Sequence, residues 1–150
     1  FMVAGIIIVQ AHGTRSISKL GGLAKRMPVT ATAALIGFLT ILGVPPTSGF
    51  ISEFLIFLGS VKSAMEPLVL QRLILSVGAV VSTAITAGYT LWTMKRVFFG
   101  GLPSDMVEVA EAPLTMTAPL IVLGGTAILL GIFPDLVTSG LVSQISSMIR

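Results

Sequence analysis

Long apolar runs separated by short polar stretches make up most of this chain. A helix needs about 20 mainly apolar residues to cross the roughly 30 Å hydrocarbon core of a bilayer. Two runs, residues 68–99 and residues 114–133, are long enough for this. The pattern therefore predicts two complete transmembrane helices at these positions.

Two further runs, at about 29–44 and 49–63, are too short to cross alone but long enough together for one crossing. The stretch that divides them contains Pro45, Pro46 and Gly49. Proline lacks an amide hydrogen and its ring clashes with the preceding helical turn, and glycine adds backbone freedom. We therefore predict one broken helix, within an all-α, polytopic transmembrane helical bundle.

The first apolar run, residues 1–11, is also short, and it lacks the basic leader and cleavage site of a signal peptide. The chain opens with Phe1 rather than methionine. We expect residues 1–11 to be the truncated end of a transmembrane helix, and the chain to be a fragment of a longer protein.

The composition agrees with a membrane protein and excludes several kinds of site. Hydrophobic residues make up 54% of the chain and charged residues 10%, against about 25% charged residues in a soluble domain. There is no cysteine and one histidine, which excludes disulfides, iron–sulfur ligation and multi-histidine metal sites in these 150 residues. Basic and stacking aromatic residues are not clustered, so we expect no nucleic-acid partner.

The basic residues suggest an orientation but do not decide the number of crossings. One broken crossing puts six basic residues on the side of the first loop and three on the other. Two separate crossings would again give six against three. In both cases the excess of Lys and Arg places the first loop in the cytoplasm. Segment length, rather than charge, favours one broken crossing.

Glu53 is the candidate functional residue, because it follows the break inside an apolar segment. The predicted boundaries place it in the first turn of the second half helix, where the helix dipole favours a negative charge and desolvation disfavours it. A carboxyl group under such opposing effects suits proton exchange, and broken helices that present ionisable groups recur in transporters. The alternative is an ordinary loop between two short helices, with Glu53 as a structural cap.

Four other polar residues are possible accessories. Thr47 and Ser48 can satisfy backbone groups that the break leaves free, and one of them could cap the second half helix. Ser52 precedes the carboxylate. His12 lies where the first helix leaves the membrane, a position more often occupied by an interfacial histidine than by a proton carrier.

Four stretches together resemble the C-terminal part of the antiporter-like membrane subunits of complex I and its relatives. In order along the chain they are TRSISKLGGLAKRMP, GVPPTSGFISEFLIF, YTLWTMKRVFFG and ILLGIFPD. The resemblance covers nearly the whole chain. At position 53 the chain is similar to subunit M, which usually carries glutamate. Subunits L and N and the cation/proton antiporters usually carry lysine there.

The resemblance implies that residues 1–150 are the C-terminal fragment of one proton-translocating, antiporter-like transmembrane domain, with Glu53 as its proton carrier. It implies a membrane subunit of a respiratory NADH:quinone oxidoreductase, without a metal or cofactor of its own. The partners would be other membrane subunits and the lipid bilayer, and partner subunits would carry flavin and iron–sulfur clusters. The location would be the plasma membrane of a prokaryote.

The resemblance leaves several points open. The electron donor could be NADH, ferredoxin or a deazaflavin, the quinone type is not implied, and sodium could accompany protons. One alternative is a subunit of a multi-subunit cation/proton antiporter, against which Glu53 in place of lysine speaks. Another is a truncated fragment that transports nothing.

Overall fold

The described residues of the computed structural model, 1–65 and 69–140, form a bundle of helices without a β-strand. Five α-helices are α1 (Met2–Gln10), α2 (Pro28–Ile41), α3 (Ser48–Met65), α4 (Leu70–Phe98) and α5 (Leu114–Ile132), and the described residues 135–140 are helical as well. Short 3-10 turns occur at Ile17–Lys19, Leu23–Lys25 and Ser104–Met106. The predicted all-α class is confirmed.

Helices α4 and α5 are long and apolar enough to cross a membrane. They have 29 and 19 residues, which correspond to about 43 Å and about 28 Å. Only 11% of the most apolar window of each helix is buried, so most of their apolar surface is free to face lipid or further helices. The predicted spans are confirmed to within two residues, except that residue 68 and the tail after residue 140 lie outside the described part.

The arrangement of α2 and α3 fits the two halves of one crossing. α2 begins beside the loop of residues 99–113, and the C-terminal part of α4 packs against the turns of the first loop at the same end. At the opposite end, the guanidinium of Arg72 in α4 donates to the carbonyl oxygen of Ser63 in α3 at 3.2 Å. The continuous helix α4 therefore accompanies both halves, as the single broken crossing predicts.

The buried apolar core lies where the two loops meet, at what we call the loop end of the bundle, formed by residues 12–27 and 99–113. The backbones of Gly21 and Gly22 lie in direct contact with those of Gly100 and Gly101. The core side chains around this contact include Leu23, Met27, Ala31, Val97, Phe98, Met106 and Val109. This packed end fixes the starting point of α2 relative to the end of α4.

Candidate functional site

The break between the half helices begins at Gly43. The Gly43 N–H donates to the carbonyl oxygen of Thr40 at 3.3 Å, and the Val44 N–H donates to that of Leu39 at 3.0 Å. This pattern ends a helix at a residue with left-handed backbone, and Gly43 has φ of 58°. Residues 42–47 are not helical, so the predicted break is confirmed. The last residue of α2, Ile41, lies four residues before the first proline.

Thr47 satisfies a backbone group inside the break. Its side chain is 2% exposed, and its hydroxyl donates to the carbonyl oxygen of Val44 at 2.8 Å. The hydroxyl thus satisfies a backbone group that the break leaves free, which is one of the two roles expected of Thr47 and Ser48. Ser48 is the half-buried first residue of α3. Ser52 is exposed, and its hydroxyl donates to the carbonyl oxygen of Gly49 at 2.9 Å.

The placement of Glu53 in the first turn of α3 is wrong. α3 begins at Ser48, so Glu53 is its sixth residue and lies in the second turn. The favourable effect of the helix dipole falls off within the first turn, so the N-terminus of α3 stabilises this carboxylate less than the sequence suggested. The predicted second half helix begins at about residue 49, whereas α3 begins at Ser48. Gly49, which we predicted as part of the break, is the second residue of α3, so that assignment is also wrong.

The carboxylate of Glu53 lies against the end of α2. It occupies the space that a Cβ atom on Gly43 would fill, and the ideal position of that Cβ is 2.8 Å from Glu53 Cδ. Glu53 is half-buried, and no described residue donates a hydrogen bond to its carboxylate or forms an ion pair with it.

Helix α5 closes one side of the break. A Cβ atom on Gly131 would lie 2.7 Å from the carbonyl carbon of Pro46, so the backbone of α5 touches the loop directly. The backbone of Gly49 likewise touches that of Thr40, which brings the start of α3 against the last turn of α2. The sequence signal for this close contact is Gly131 in the stretch ILLGIFPD, since a glycine lets two backbones approach.

Glu111 is a structural residue that the sequence analysis missed. Its Oε2 accepts a hydrogen bond from the Val29 N–H at 2.7 Å, and its Oε1 accepts one from the Thr30 hydroxyl at 2.6 Å. The N-cap residue Met27 has no side chain that can cap α2, so a carboxylate from the other loop does so. The sequence does contain a signal for a cap from elsewhere in the chain. The helix starts with Pro28, and the residue before it, Met27, cannot cap it.

His12 and Glu53 are not brought together. His12 is exposed on the loop end and has a left-handed φ of 54°. Glu53 lies level with Gly43, 15 residues after Pro28 and so about 22 Å along the axis of α2. Within residues 1–65 and 69–140, no three His, Asp or Glu residues are grouped as a metal would require.

An all-helical bundle of apolar spans, with one broken crossing and a carboxylate at the break, has the architecture of a multi-pass membrane transport domain. The family described as NADH:quinone oxidoreductase/Mrp antiporter, transmembrane, matches residues 1–95, and the chain belongs to this family. The resemblance stated from the sequence motifs is thereby confirmed.

Individual relatives come from both branches of this family. The chain is 32% identical over 149 residues to F(420)H(2) dehydrogenase subunit M of Methanosarcina mazei, which covers 99% of the chain and 28% of the relative. It is 30% identical over 154 residues to NADH-quinone oxidoreductase subunit M of Rhodobacter capsulatus, and this match covers 100% of the chain and 28% of the relative. It is 36% identical over 141 residues to an Na(+)/H(+) antiporter subunit of Alkalihalophilus pseudofirmus, and this match covers 91% of the chain and 17% of the relative.

The chain therefore spans less than about a third of the length of these relatives. All three are named as subunits, so the chain is similar to components of multi-subunit membrane assemblies.

Proposed function

We propose that these residues are the C-terminal part of a proton-translocating membrane subunit of a complex I-like NADH:quinone oxidoreductase, in the plasma membrane of a prokaryote. Partner subunits carry the flavin and iron–sulfur clusters and transfer the electrons. This chain contributes a proton-exchanging carboxyl group, Glu53. The observation that carries the proposal is the position of that carboxylate, against the glycine that ends α2 and inside a broken crossing.

The chemistry at the break follows from its geometry. Gly43 leaves room for the carboxylate beside α2, and the loop between the half helices removes the continuous helical backbone at this depth. Non-helical backbone at membrane depth is tolerated where it is buried in protein or lines a water-filled cavity. In the proposed mechanism, electron transfer in partner subunits changes the surroundings of Glu53, which then releases a proton to one side and takes up another from the other side.

Replacement of Glu53 by glutamine tests this proposal. Glutamine keeps the shape of the side chain but cannot exchange a proton. Positioned acid–base groups contribute about 10²- to 10⁴-fold to proton transfer, so we expect the flux through this path to fall at least about tenfold. The measurement is the number of protons translocated per electron in sealed vesicles that contain the complete complex.

The matched control is Glu108→Gln, which removes an exposed acid from the loop of residues 99–113. This control should pump normally. Normal pumping per electron in the Glu53→Gln variant would show that the role assigned to Glu53 is wrong.

The antiporter relative supports a second candidate, a subunit of a cation/proton antiporter that works without electron transfer. The same vesicles distinguish the two functions. Proton uptake driven by a sodium gradient in the absence of electron donor and quinone would favour the antiporter. Proton movement that requires an electron donor would favour the oxidoreductase subunit.

The third possibility, a short chain without transport activity, is distinguished by the intact mass of the native protein. A native mass of 15.6 kDa, the mass of these 150 residues, would support it. A mass several times larger would support the proposed membrane subunit.

A further inference from the structure

A cavity of about 450 Å³ opens at the loop end of the bundle, beside the last turn of α4. Its wall includes the basic side chains of Lys95 and Arg96, the ring of Trp92 and the hydroxyl-bearing residue Ser18. None of the residues around it is acidic. The cavity is separate from the break at Glu53 and has no role in the proposed proton transfer.

The cavity offers hydrogen-bond donors that lack partners. Within the described part of the chain, neither Lys95 nor Arg96 forms an ion pair, and the N–H groups of Gly100 and Gly101 donate to no residue. The guanidinium carbon of Arg96 lies 5.7 Å from the centroid of the Trp92 ring, which orients the cation by a cation–π contact. Such a group of cations and free amides suits a phosphate.

One face of α4 leads from the apolar region to this cavity. Ile85, Tyr89, Trp92 and Arg96 are spaced by four, three and four residues, so they lie on the same face of the helix, and all four are exposed. The face therefore changes from aliphatic to aromatic to cationic toward the loop end. A phospholipid has the same order from acyl chain through the interface to its phosphate.

The charge distribution indicates which membrane leaflet is involved. The loop end and the adjoining end of α4 carry six basic residues, namely Arg15, Lys19, Lys25, Arg26, Lys95 and Arg96. The opposite end of the described bundle carries Lys62 and Arg72. The excess places the loop end in the cytoplasm, and anionic lipids of that leaflet are attracted to basic segments at the membrane surface.

We propose that the cavity bounded by Trp92, Lys95, Arg96 and the Gly100–Gly101 backbone binds the phosphate headgroup of an anionic phospholipid of the cytoplasmic leaflet. Lys95 and Arg96 neutralise the phosphate, the free amides of the two glycines donate to its oxygens, and the acyl chains lie along the exposed face of α4. The cations also lie at the C-terminus of a helix, where its dipole favours them without any ligand, so the test must separate these two roles.

The test measures retention of phosphatidylglycerol by the complete membrane protein in detergent, using native mass spectrometry. Each basic residue near an anionic surface strengthens the binding of anionic lipid. We therefore expect the double variant K95Q/R96Q, which lacks two of them, to bind phosphatidylglycerol about 30-fold more weakly. The double variant K62Q/R72Q removes the same charge at the opposite end and should bind within about twofold of the unaltered protein. Phosphatidylcholine should bind weakly to all three proteins.

Two further arms keep the result interpretable. Ser18→Glu leaves both cations in place but adds a negative charge at the cavity wall, so it should weaken lipid binding even if K95Q/R96Q fails to assemble. Inorganic phosphate at millimolar concentration should not displace the lipid. Equal losses in the two double variants, unchanged binding in Ser18→Glu, or displacement by inorganic phosphate would each overturn the proposal.

Discussion

At Gly43, the backbone angle and the neighbouring carboxylate both require the absence of a side chain. The left-handed angle costs an L-residue roughly 1–2 kcal/mol, and a Cβ atom would collide with the carboxylate of Glu53. The position of the proton-exchanging group in our proposal therefore depends on a neighbour that carries no chemistry of its own.

Gly43→Ala should lower the stability of the protein and impair proton translocation. We expect a loss of about 1–2 kcal/mol from the backbone alone, with Glu53 displaced from the end of α2. The matched control is Gly59→Ala, since a Cβ atom there meets nothing within 4 Å and alanine favours a helix. Thermal unfolding of the complete protein in detergent gives the stability, and sealed vesicles give the transport. If both variants unfold at the same temperature, the left-handed conformation of Gly43 is not required.

A carboxylate just beyond a helix break could be predicted from the sequence, but the helical turn that Glu53 occupies and its surroundings could not. The apolar run and the proline pair are local signals, and they indicate a carboxylate just beyond a break. The contact with Gly43 depends on how the start of α3 packs against the last turn of α2. That contact involves backbone atoms of Thr40 and Gly49, which the pattern of apolar and polar residues does not report.

At the scale of the elements, α2 depends on a distant loop for its N-terminal cap. Glu111 accepts hydrogen bonds from Val29 and Thr30, although 81 or 82 residues separate them. The bounds of all five helices could be predicted closely because length and apolar character are local properties. The cap could not, because its two parts meet only after the loop end has packed.

Glu111→Ala should loosen the first turn of α2. Loss of a helix cap costs about 1–2 kcal/mol, so the amide hydrogens of Val29 and Thr30 should exchange with solvent roughly tenfold faster. Glu111→Gln should have a smaller effect, since an amide oxygen still accepts a hydrogen bond. Hydrogen exchange followed by mass spectrometry measures both.

Glu108→Ala is the control for this experiment, because Glu108 is exposed and accepts no hydrogen bond from a described residue. Its exchange pattern in α2 should match that of the unaltered protein. Unchanged exchange at Val29 and Thr30 in Glu111→Ala would show that the carboxylate does not hold the helix start in the membrane.

At the scale of the whole molecule, the single broken crossing places the two ends of the bundle on opposite sides of the membrane. Charge counting alone could not decide this, because both topologies give the same excess of basic residues. The packing of the continuous helix α4 supports it, since its C-terminal part packs at the loop end and its first residues lie beside the end of α3. The direction in which α3 continues from α2 is visible only from the packing of α4 against both helices.

Cysteine labelling tests this topology in intact cells. The chain has no cysteine, so Ser16→Cys and Met65→Cys each introduce one thiol into this region, at exposed positions. With a single broken crossing, a membrane-impermeant maleimide added outside should label position 65 and not position 16. The same reagent should label position 16 after the cells are opened. Equal behaviour of the two positions would indicate two separate crossings.

The depth of Glu53 has an electrical consequence. In our proposal the hydrocarbon core begins at Pro28 and α2 lies along the membrane normal, which puts the carboxylate about 22 Å, or about 0.7, of the way across a 30 Å core. One charge crossing the whole membrane exchanges about 2.3 kcal/mol per 100 mV with the transmembrane potential. A proton that reaches Glu53 from the loop end therefore exchanges about 1.6 kcal/mol per 100 mV, and one from the opposite side exchanges the remainder with opposite sign. Voltage would thus load and unload this carboxyl group unequally from the two sides, even when the pH on both sides is the same.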